Sequence, residues 1–518
     1  MKKKKICGFL LLLIANILWI VTFWFNQQFP DLDFSSIMFY IKVPLDGSNT
    51  MAFSKIIIFT AVAAPLITTL SYLTTKMLDE THALELQIRN FKLNLPLNLW
   101  RRRFCSISAI FLAITAVSCS YLTGLTTYIY NNLHTSTIYK TYYVDPRNAN
   151  ITFPESKRNL IYIFMESMEN TYASEEYGGL EYANFIPEMC DLQFENTTFS
   201  TLDSTLNGAL STSGTTWTMG AMIAQTTGIP LNIPVYGNTM EESSSAFLPG
   251  ACSIGELLAE QGYQQELLLG SNAVFGGRGL YFSQHGDYTI KDYNYTIDNE
   301  ILPSDYYIWW GYEDEKLYDF AKEELTTLAE SDAPFNLTML TVDTHFFDGY
   351  YCELCEPNFD NDQYANVIAC ASRQVTEFVQ WVQEQPFYDN TTIIICGDHP
   401  TMDTEYLNQS CVNDFSTYQR STYTVVINPA VEYELDYTRA FTTLDMYPTT
   451  LASLGCEIEG NRLGLGTNLF SDTPTLLEEM GLEKLDSELE KVSTYYNKNL
   501  LYPDNQHHRL SRWFALPL

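Results

Sequence analysis

Apolar positions in this chain fall into two kinds of run. Three are long and lie before residue 126, at 6–25, about 56–74 and about 104–125. Each approaches the ~20 residues that a helix needs to cross a bilayer, and Pro65 inside the second is tolerable there. The first run exceeds a signal-peptide core and ends in Trp24-Phe25-Asn26-Gln27-Gln28 without a small-residue cleavage site, so it reads as a retained helix. After residue 158 the apolar runs are short and alternate with amphipathic stretches. Residues 159–165, 337–342 and 392–396 read as strands buried on both faces. Further strands are expected at 265–270 and 423–428. Helices are expected at 312–331 and 373–385, where apolar residues recur near i, i+3, i+4. The alternation predicts an α/β domain whose central sheet is mostly parallel and flanked by helices, preceded by a transmembrane helical anchor.

Basic residues orient this plan. Lys2 to Lys5 precede the first long run, and Lys76, Arg89, Lys92 and Arg101-Arg102-Arg103 fill the connection between the second and third. The connection between the first and second carries only Lys42 and Lys55, against Asp31, Asp33 and Asp46. The positive-inside rule then puts the start and the second connection in the cytoplasm and everything after the third run outside. Charge divides at the same boundary: 12 of the 29 Lys and Arg, but only 6 of the 62 Asp and Glu, lie within residues 1–126. So acidic a body repels nucleic acid and excludes a basic-patch binder. The expected organisation is a membrane anchor with three transmembrane helices over 1–126 and a linker over 127–157. A catalytic domain over 158–472 and a helical extension with a surface tail over 473–518 follow. The expected location is the cell membrane, with the catalytic body on the extracytoplasmic side.

Chemistry-bearing residues punctuate the ends of the three buried strands. They are Glu166-Ser167, Asp343-Thr344-His345 and Gly397-Asp398-His399-Pro400. In open α/β sheets, ligands bind where the carboxyl ends of the strands converge, so Glu166, His345, Asp398 and His399 are expected to meet. An adjacent carboxylate and imidazole, Asp398 and His399, can both reach one divalent cation. Glu166 ends a buried run, where an unpaired carboxylate demands a cation or hydrogen bonds. By contrast His82, His507 and His508 fall in a connection and a tail that suggest no chemistry. For a nucleophile, the hydroxyl-rich segment 211–218 leads into a helical stretch over 219–225 that stops at Gly228-Ile229-Pro230. A hydroxyl at that helix start faces free N–H groups, which favour phosphate. Of eleven cysteines, Cys352-Glu353-Leu354-Cys355 has zinc-knuckle or redox spacing but no second close pair to complete a four-sulfur site. A local disulfide or unpaired thiols is expected there.

With these residues assembled, the chain resembles the alkaline-phosphatase-like superfamily. Within it, the similarity is to the membrane-anchored lipoteichoic acid synthase and phosphoglycerol transferase family, whose catalytic body is sulfatase-like. The carriers are Asn159 to Ser167, Gly214-Thr215-Thr216-Trp217-Thr218 with Gly228-Ile229-Pro230, Gly276-Gly277-Arg278, Asp343-Thr344-His345, Gly397-Asp398-His399, and Leu444-Asp445-Met446-Tyr447-Pro448-Thr449. The resemblance implies that Glu166, Thr215, Asp398 and His399 hold one divalent ion, usually manganese, with Thr215 as the metal-bound nucleophile. It implies that His345 contacts the phosphoryl group or protonates a leaving alcohol, and that Arg278 neutralises the phosphate. The implied reaction moves glycerophosphate from phosphatidylglycerol to a polyglycerolphosphate chain or glycan through a phospho-threonine. One departure concerns the acceptor. The tryptophan expected two residues before the arginine in the lipoteichoic acid branch is Gly276 here, which leans toward glucan phosphoglycerol transfer. Phosphoethanolamine transfer, a sulfatase-like hydrolase and a non-catalytic regulatory ectodomain are the alternatives. No Cys/Ser-x-Pro-x-Arg stretch for formylglycine formation occurs.

Overall fold

A computed structural model of the chain describes residues 2–28, 34, 51–77, 83–88, 91–96, 102–202, 204–232, 246–433 and 436–503. His82, His507 and His508 lie outside the described residues. Two compact units divide the chain, one of residues 1–34 and 49–130, the other chiefly of residues 131 onward.

In the first unit the three long apolar runs form helices α1 (Lys2–Gln28), α2 (Met51–Met77) and α3 (Phe104–Leu122). All three are long and apolar enough to cross a membrane. Helix α1 packs on both others. Asn16 donates to the Thr68 hydroxyl of α2 at 2.9 Å, and Gly8 lies against Phe104 and Cys105 of α3. A small residue at that point lets backbones approach, as helix packing in lipid requires. Between α2 and α3 the sequence pattern gave no expected element, but the chain forms an antiparallel hairpin of Ala83–Ile88 with Phe91–Pro96.

The second unit is built on a seven-stranded sheet, numbered here in chain order as β1 (Asn159–Met165), β2 (Gly208–Ala209), β3 (Gln264–Leu269), β4 (Thr289–Lys291), β5 (Phe335–Leu340), β6 (Thr391–Gly397) and β7 (Thr422–Ile427). Their spatial order is β2-β7-β6-β1-β5-β3-β4. Strands β6, β1, β5, β3 and β4 run parallel, and β7 and β2 add an antiparallel edge. Every residue of β1, β5 and β6 is buried, which is why these strands read as unbroken apolar runs rather than alternating ones. Alternation survives in which layer each side chain meets. Ile161, Ile163 and Met165 share a core with Leu337, Met339, Ile393 and Ile395 and with helices α4 (Asp314–Leu328) and α5 (Gln363–Gln383). On the opposite face Tyr162 stacks on Phe164 and donates to Gln225 of helix α6, residues Thr218–Thr227, at 2.8 Å.

Helix α5 begins ten residues before the expected start at 373. Its first half is buried all round, Tyr364, Val367, Ile368, Ala369 and Cys370 included, so no one-sided stripe marks it. The capping signal is Asp362, whose carboxylate accepts from the Ala365 amide at 3.1 Å.

The flanking segments are built into this unit. Residues 151–152 pair with 457–458, and Tyr139 packs on Tyr495 and Tyr496. After Phe470 the charged stretch forms helices Leu476–Met480 and Leu482–Glu490. They are pinned by Arg439, 1% exposed, which pairs with Glu478 at 2.9 Å and donates to the carbonyls of Leu469, Ser471 and Thr473.

Candidate metal centre

Because β6, β1 and β5 are adjacent and parallel, their carboxyl ends deliver three loops to one place. Glu166 follows β1 directly, Asp398 and His399 follow β6, and His345 lies in the loop after β5. Ligand atoms of Glu166, Asp398 and His399 all lie within 4.8 Å of one another, and all three side chains are buried. The His399 Nε2 stands 3.6 Å from a Glu166 oxygen and 3.5 Å from Asp398 Oδ2.

Local geometry fixes each group. Ser167 takes a left-handed backbone, φ 52°, at the end of β1. That turn lets its amide donate to Asp398 Oδ1 and its hydroxyl to Glu166 Oε1, both at 2.8 Å. Strain of this kind in a residue other than glycine concentrates where a site over-determines the backbone. Gly397 is required on the other side, since a Cβ there would stand 1.8 Å from the Met168 carbonyl oxygen. The Asp398 Oδ1 also accepts from the His399 amide at 2.7 Å, whereas Oδ2 is buried with no hydrogen-bond partner among the described residues. The His399 Nδ1–H donates to the Pro400 carbonyl at 2.8 Å, which turns Nε2 toward the carboxylates; burial lowers the pKa of the ring, and Asp398 and Glu166 outweigh it and raise it.

This donor set fits a divalent cation. Burial, with the Glu166 carboxylate beside it, pushes the Asp398 carboxyl up to about 7. Two carboxylates in a dry pocket resist sharing negative charge unless a cation lies between them. An orphaned carboxylate oxygen, a second carboxylate and an imidazole nitrogen aimed at one point supply that position.

Of the threonines in the 211–218 segment, Thr218 and not Thr215 is the one whose hydroxyl is seen to reach this cluster. Thr215 is fully buried, and its hydroxyl donates to the Thr212 carbonyl at 2.9 Å while accepting from the Thr212 amide at 2.8 Å. It closes a turn. Thr218, half-buried and the first residue of α6, sits 3.3 Å from Glu166 Oε2 and 3.5 Å from His399 Nε2. The structure therefore brings Glu166, Asp398 and His399 together as the spacing of the strand ends suggested, and puts Thr218 where the family pattern put Thr215.

His345 and Arg278 line the rim. The His345 Nδ1–H donates to the Phe346 carbonyl at 2.7 Å, and its ring packs between Trp310 and Phe346, each 4.7 Å away. Enclosure by these groups lowers its pKa, with Glu166 pulling the other way, so the imidazole stays neutral. Arg278 starts helix 278–284, with donors committed to the carbonyls of Phe275 and Asn272 at 3.0 and 2.8 Å. Its charge is felt at both Glu166 and His345. Gly276, where a tryptophan was expected, has φ 67°, a conformation that disfavours a large side chain. Sequence reasoning missed the supports beneath the cluster. The Thr341 hydroxyl accepts from the Glu166 amide at 2.9 Å, and the Thr344 hydroxyl donates to the Glu166 carbonyl.

The family described as Sulfatase matches residues 158–422, just over half of the chain. Phosphoglycerol transferase I of Salmonella choleraesuis (strain SC-B67) is 29% identical over 341 residues, covering 64% of this chain and 41% of that protein. The chain thus spans well under half the length of the curated relatives it matches. Among solved structures, the lipoteichoic acid synthase LtaP from Listeria monocytogenes aligns over 62% of this chain and 79% of its own, with 17% identity and a TM-score of 0.48. The lipooligosaccharide phosphoethanolamine transferase A (EptA) of Neisseria meningitidis, an integral membrane protein, aligns over 88% of this chain and 84% of its own, with 12% identity and a TM-score of 0.49.

Proposed function

We infer that this chain, which belongs to the sulfatase family, is a membrane-anchored phosphoglycerol transferase with Thr218 as its nucleophile. The observation that carries the reading is the Thr218 hydroxyl at the start of α6, within 3.5 Å of His399 and 3.3 Å of Glu166 in a buried carboxylate–imidazole cluster. The 29% identity to phosphoglycerol transferase I supports the head group.

Glu166, Asp398, His399 and Thr218 would hold the cation, and the oxygen-rich donor set favours manganese. Bound there, a divalent ion would acidify the Thr218 hydroxyl and offset charge on the phosphoryl oxygens. Thr218 Oγ attacks the phosphorus of phosphatidylglycerol, the bond to the diacylglycerol oxygen breaks, and the threonine proton ends on that oxygen. A glycerophospho-threonine remains. The amino end of α6 and the Arg278 charge, which acts on both Glu166 and His345, would offset charge on the phosphoryl oxygens. His345, neutral, takes the proton of the incoming acceptor hydroxyl; the acceptor oxygen bonds to phosphorus as the bond to Thr218 Oγ breaks, and the proton passes on to Thr218 Oγ, restoring both groups. The acceptor is a polyglycerolphosphate chain or a glycan. The basic residues that flank the three apolar runs favour an extracytoplasmic catalytic body, where a lipid donor is accessible to an anchored enzyme.

The test is the full chain in detergent with manganese and fluorescent phosphatidylglycerol, with phosphatidylethanolamine in a parallel arm. Diacylglycerol release from the first lipid and a glycerophosphate adduct on the peptide containing Thr218 are expected. Release from phosphatidylethanolamine alone would make the enzyme a phosphoethanolamine transferase instead. An adduct on Thr215 would overturn the nucleophile.

A further inference from the structure

Away from that cluster, three cysteines converge. Cys352 and Cys355 lie in the loop after His345, and Cys370 lies on α5. The Cys352 sulfur is 3.4 Å from that of Cys355 and 3.6 Å from that of Cys370, and ligand sulfurs of all three fall within 4.8 Å of one another. A disulfide bond is ~2.05 Å long. These are three thiols in contact. Sulfurs at the corners of a tetrahedron, each ~2.3 Å from a zinc ion, stand ~3.8 Å apart. The observed spacings are close to that edge.

Sequence separation hid the third member, since Cys370 is far from the knuckle-spaced pair and sits on a helix turned toward it. All three side chains are buried in a small pocket with Val367 and Tyr350. Around them the backbone is arranged as a knuckle. The Cys355 amide donates to the Cys352 carbonyl at 3.2 Å, and the amides of Leu354 and Cys355 point at the Cys352 sulfur. Gln374, one turn along α5, donates from Nε2 to the Cys370 sulfur at 3.3 Å, while its buried Oε1 has no hydrogen-bond partner among the described residues. The donors around Cys352 favour its thiolate, while contact with that sulfur and burial hold the Cys355 and Cys370 thiols protonated until an ion replaces their protons.

We propose that Cys352, Cys355 and Cys370 form a second, structural metal site for a thiophilic divalent cation of the zinc class, with water at the fourth corner. Loading exchanges three thiol protons for one ion, so the site is taken up with proton release. Its effect is mechanical. The Tyr350 amide donates to the Asp343 carbonyl at 2.7 Å, so fastening Cys352 and Cys355 to α5 braces the loop that presents His345. Ligand softness keeps the two sites apart, sulfur here and mostly oxygen at Glu166 and Asp398.

Cobalt tests the site, because thiolate ligands give cobalt a near-ultraviolet charge-transfer band that oxygen and nitrogen ligands do not. The full chain in detergent, reduced and stripped with a chelator, is titrated with cobalt and then zinc. One equivalent producing the band, zinc bleaching it, persistence in Glu166→Gln and loss in Cys370→Ser are expected. Absence of the band in reduced wild-type chain would overturn the proposal. So would an intact mass short by two hydrogens, with a peptide linking two of these cysteines, in chain purified without reductant. The wild-type titration and mass decide the matter even if Cys370→Ser does not fold.

Discussion

A threonine three positions from the expected one carries the proposed chemistry, and the difference is measurable. Thr218→Ala removes a hydroxyl that lies within 3.5 Å of both Glu166 and His399, and transfer should fall by roughly 10³-fold or more. Thr215→Ala loses two hydrogen bonds to Thr212, about 1 kcal/mol each. Its signature should be a lower melting temperature with transfer per folded molecule largely kept. Ser167→Ala keeps the left-handed turn and the amide bond to Asp398 but deletes the hydroxyl that orients Glu166. Manganese affinity, read by calorimetry, should weaken by about tenfold. Thr218 was legible in the sequence. A hydroxyl at the start of the helical stretch over 219–225 describes it, and a family spacing drew attention to Thr215 instead. Ser167 was visible only as a helix-start alternative, because its role depends on a backbone turn that side-chain pattern does not encode.

At the scale of elements, strands announced themselves and their neighbours did not. Unbroken apolar runs marked β1, β5 and β6 within a residue or two, and the residues just past them marked the cluster, because burial on both faces leaves polar side chains nowhere but the ends. The antiparallel sense of β7 and the edge strand β2 left no such trace. The carboxyl-terminal segment was expected as a helical extension with a surface tail, and no sequence signal showed that Glu478 within it is the partner of a fully enclosed guanidinium. Glu478→Ala leaves Arg439 with carbonyl partners and no counter-charge, so a loss of ~3 kcal/mol is expected in a denaturant titration. Gly397→Ala forces β6 away from Met168 and should cost both stability and cation binding.

For the molecule as a whole, pH acts through a carboxyl remote from catalysis. Glu181 is 1% exposed, and burial pushes its pKa up to about 8; the Ser410 hydroxyl only partly offsets this and the Glu169 carboxylate adds to it. The unfolded chain gives up that proton in the ordinary carboxylate range, whereas the folded chain keeps it until about 8. Through that window the folded state binds more protons, so this residue's contribution to stability falls as pH rises. Glu181→Gln should raise the melting temperature more at about pH 8 than at about pH 5. The net charge of −33 adds a second dependence, on salt. An acidic body concentrates divalent cations, and monovalent salt should weaken apparent manganese affinity by screening.

Parallel neighbours β6, β1 and β5 bring together side chains that are remote in sequence, Glu166 among the first of the body and Asp398 near its end. No early hairpin or lone helix can preview such a pocket, because its walls exist only once the crossovers have closed and β6 has docked beside β1. Manganese therefore cannot template the collapse of this chain. It can only trap the finished state, so thermal resistance should climb with the logarithm of ion concentration, about 2.7 kcal/mol at a hundredfold excess over the dissociation constant, while refolding rates stay indifferent to the ion.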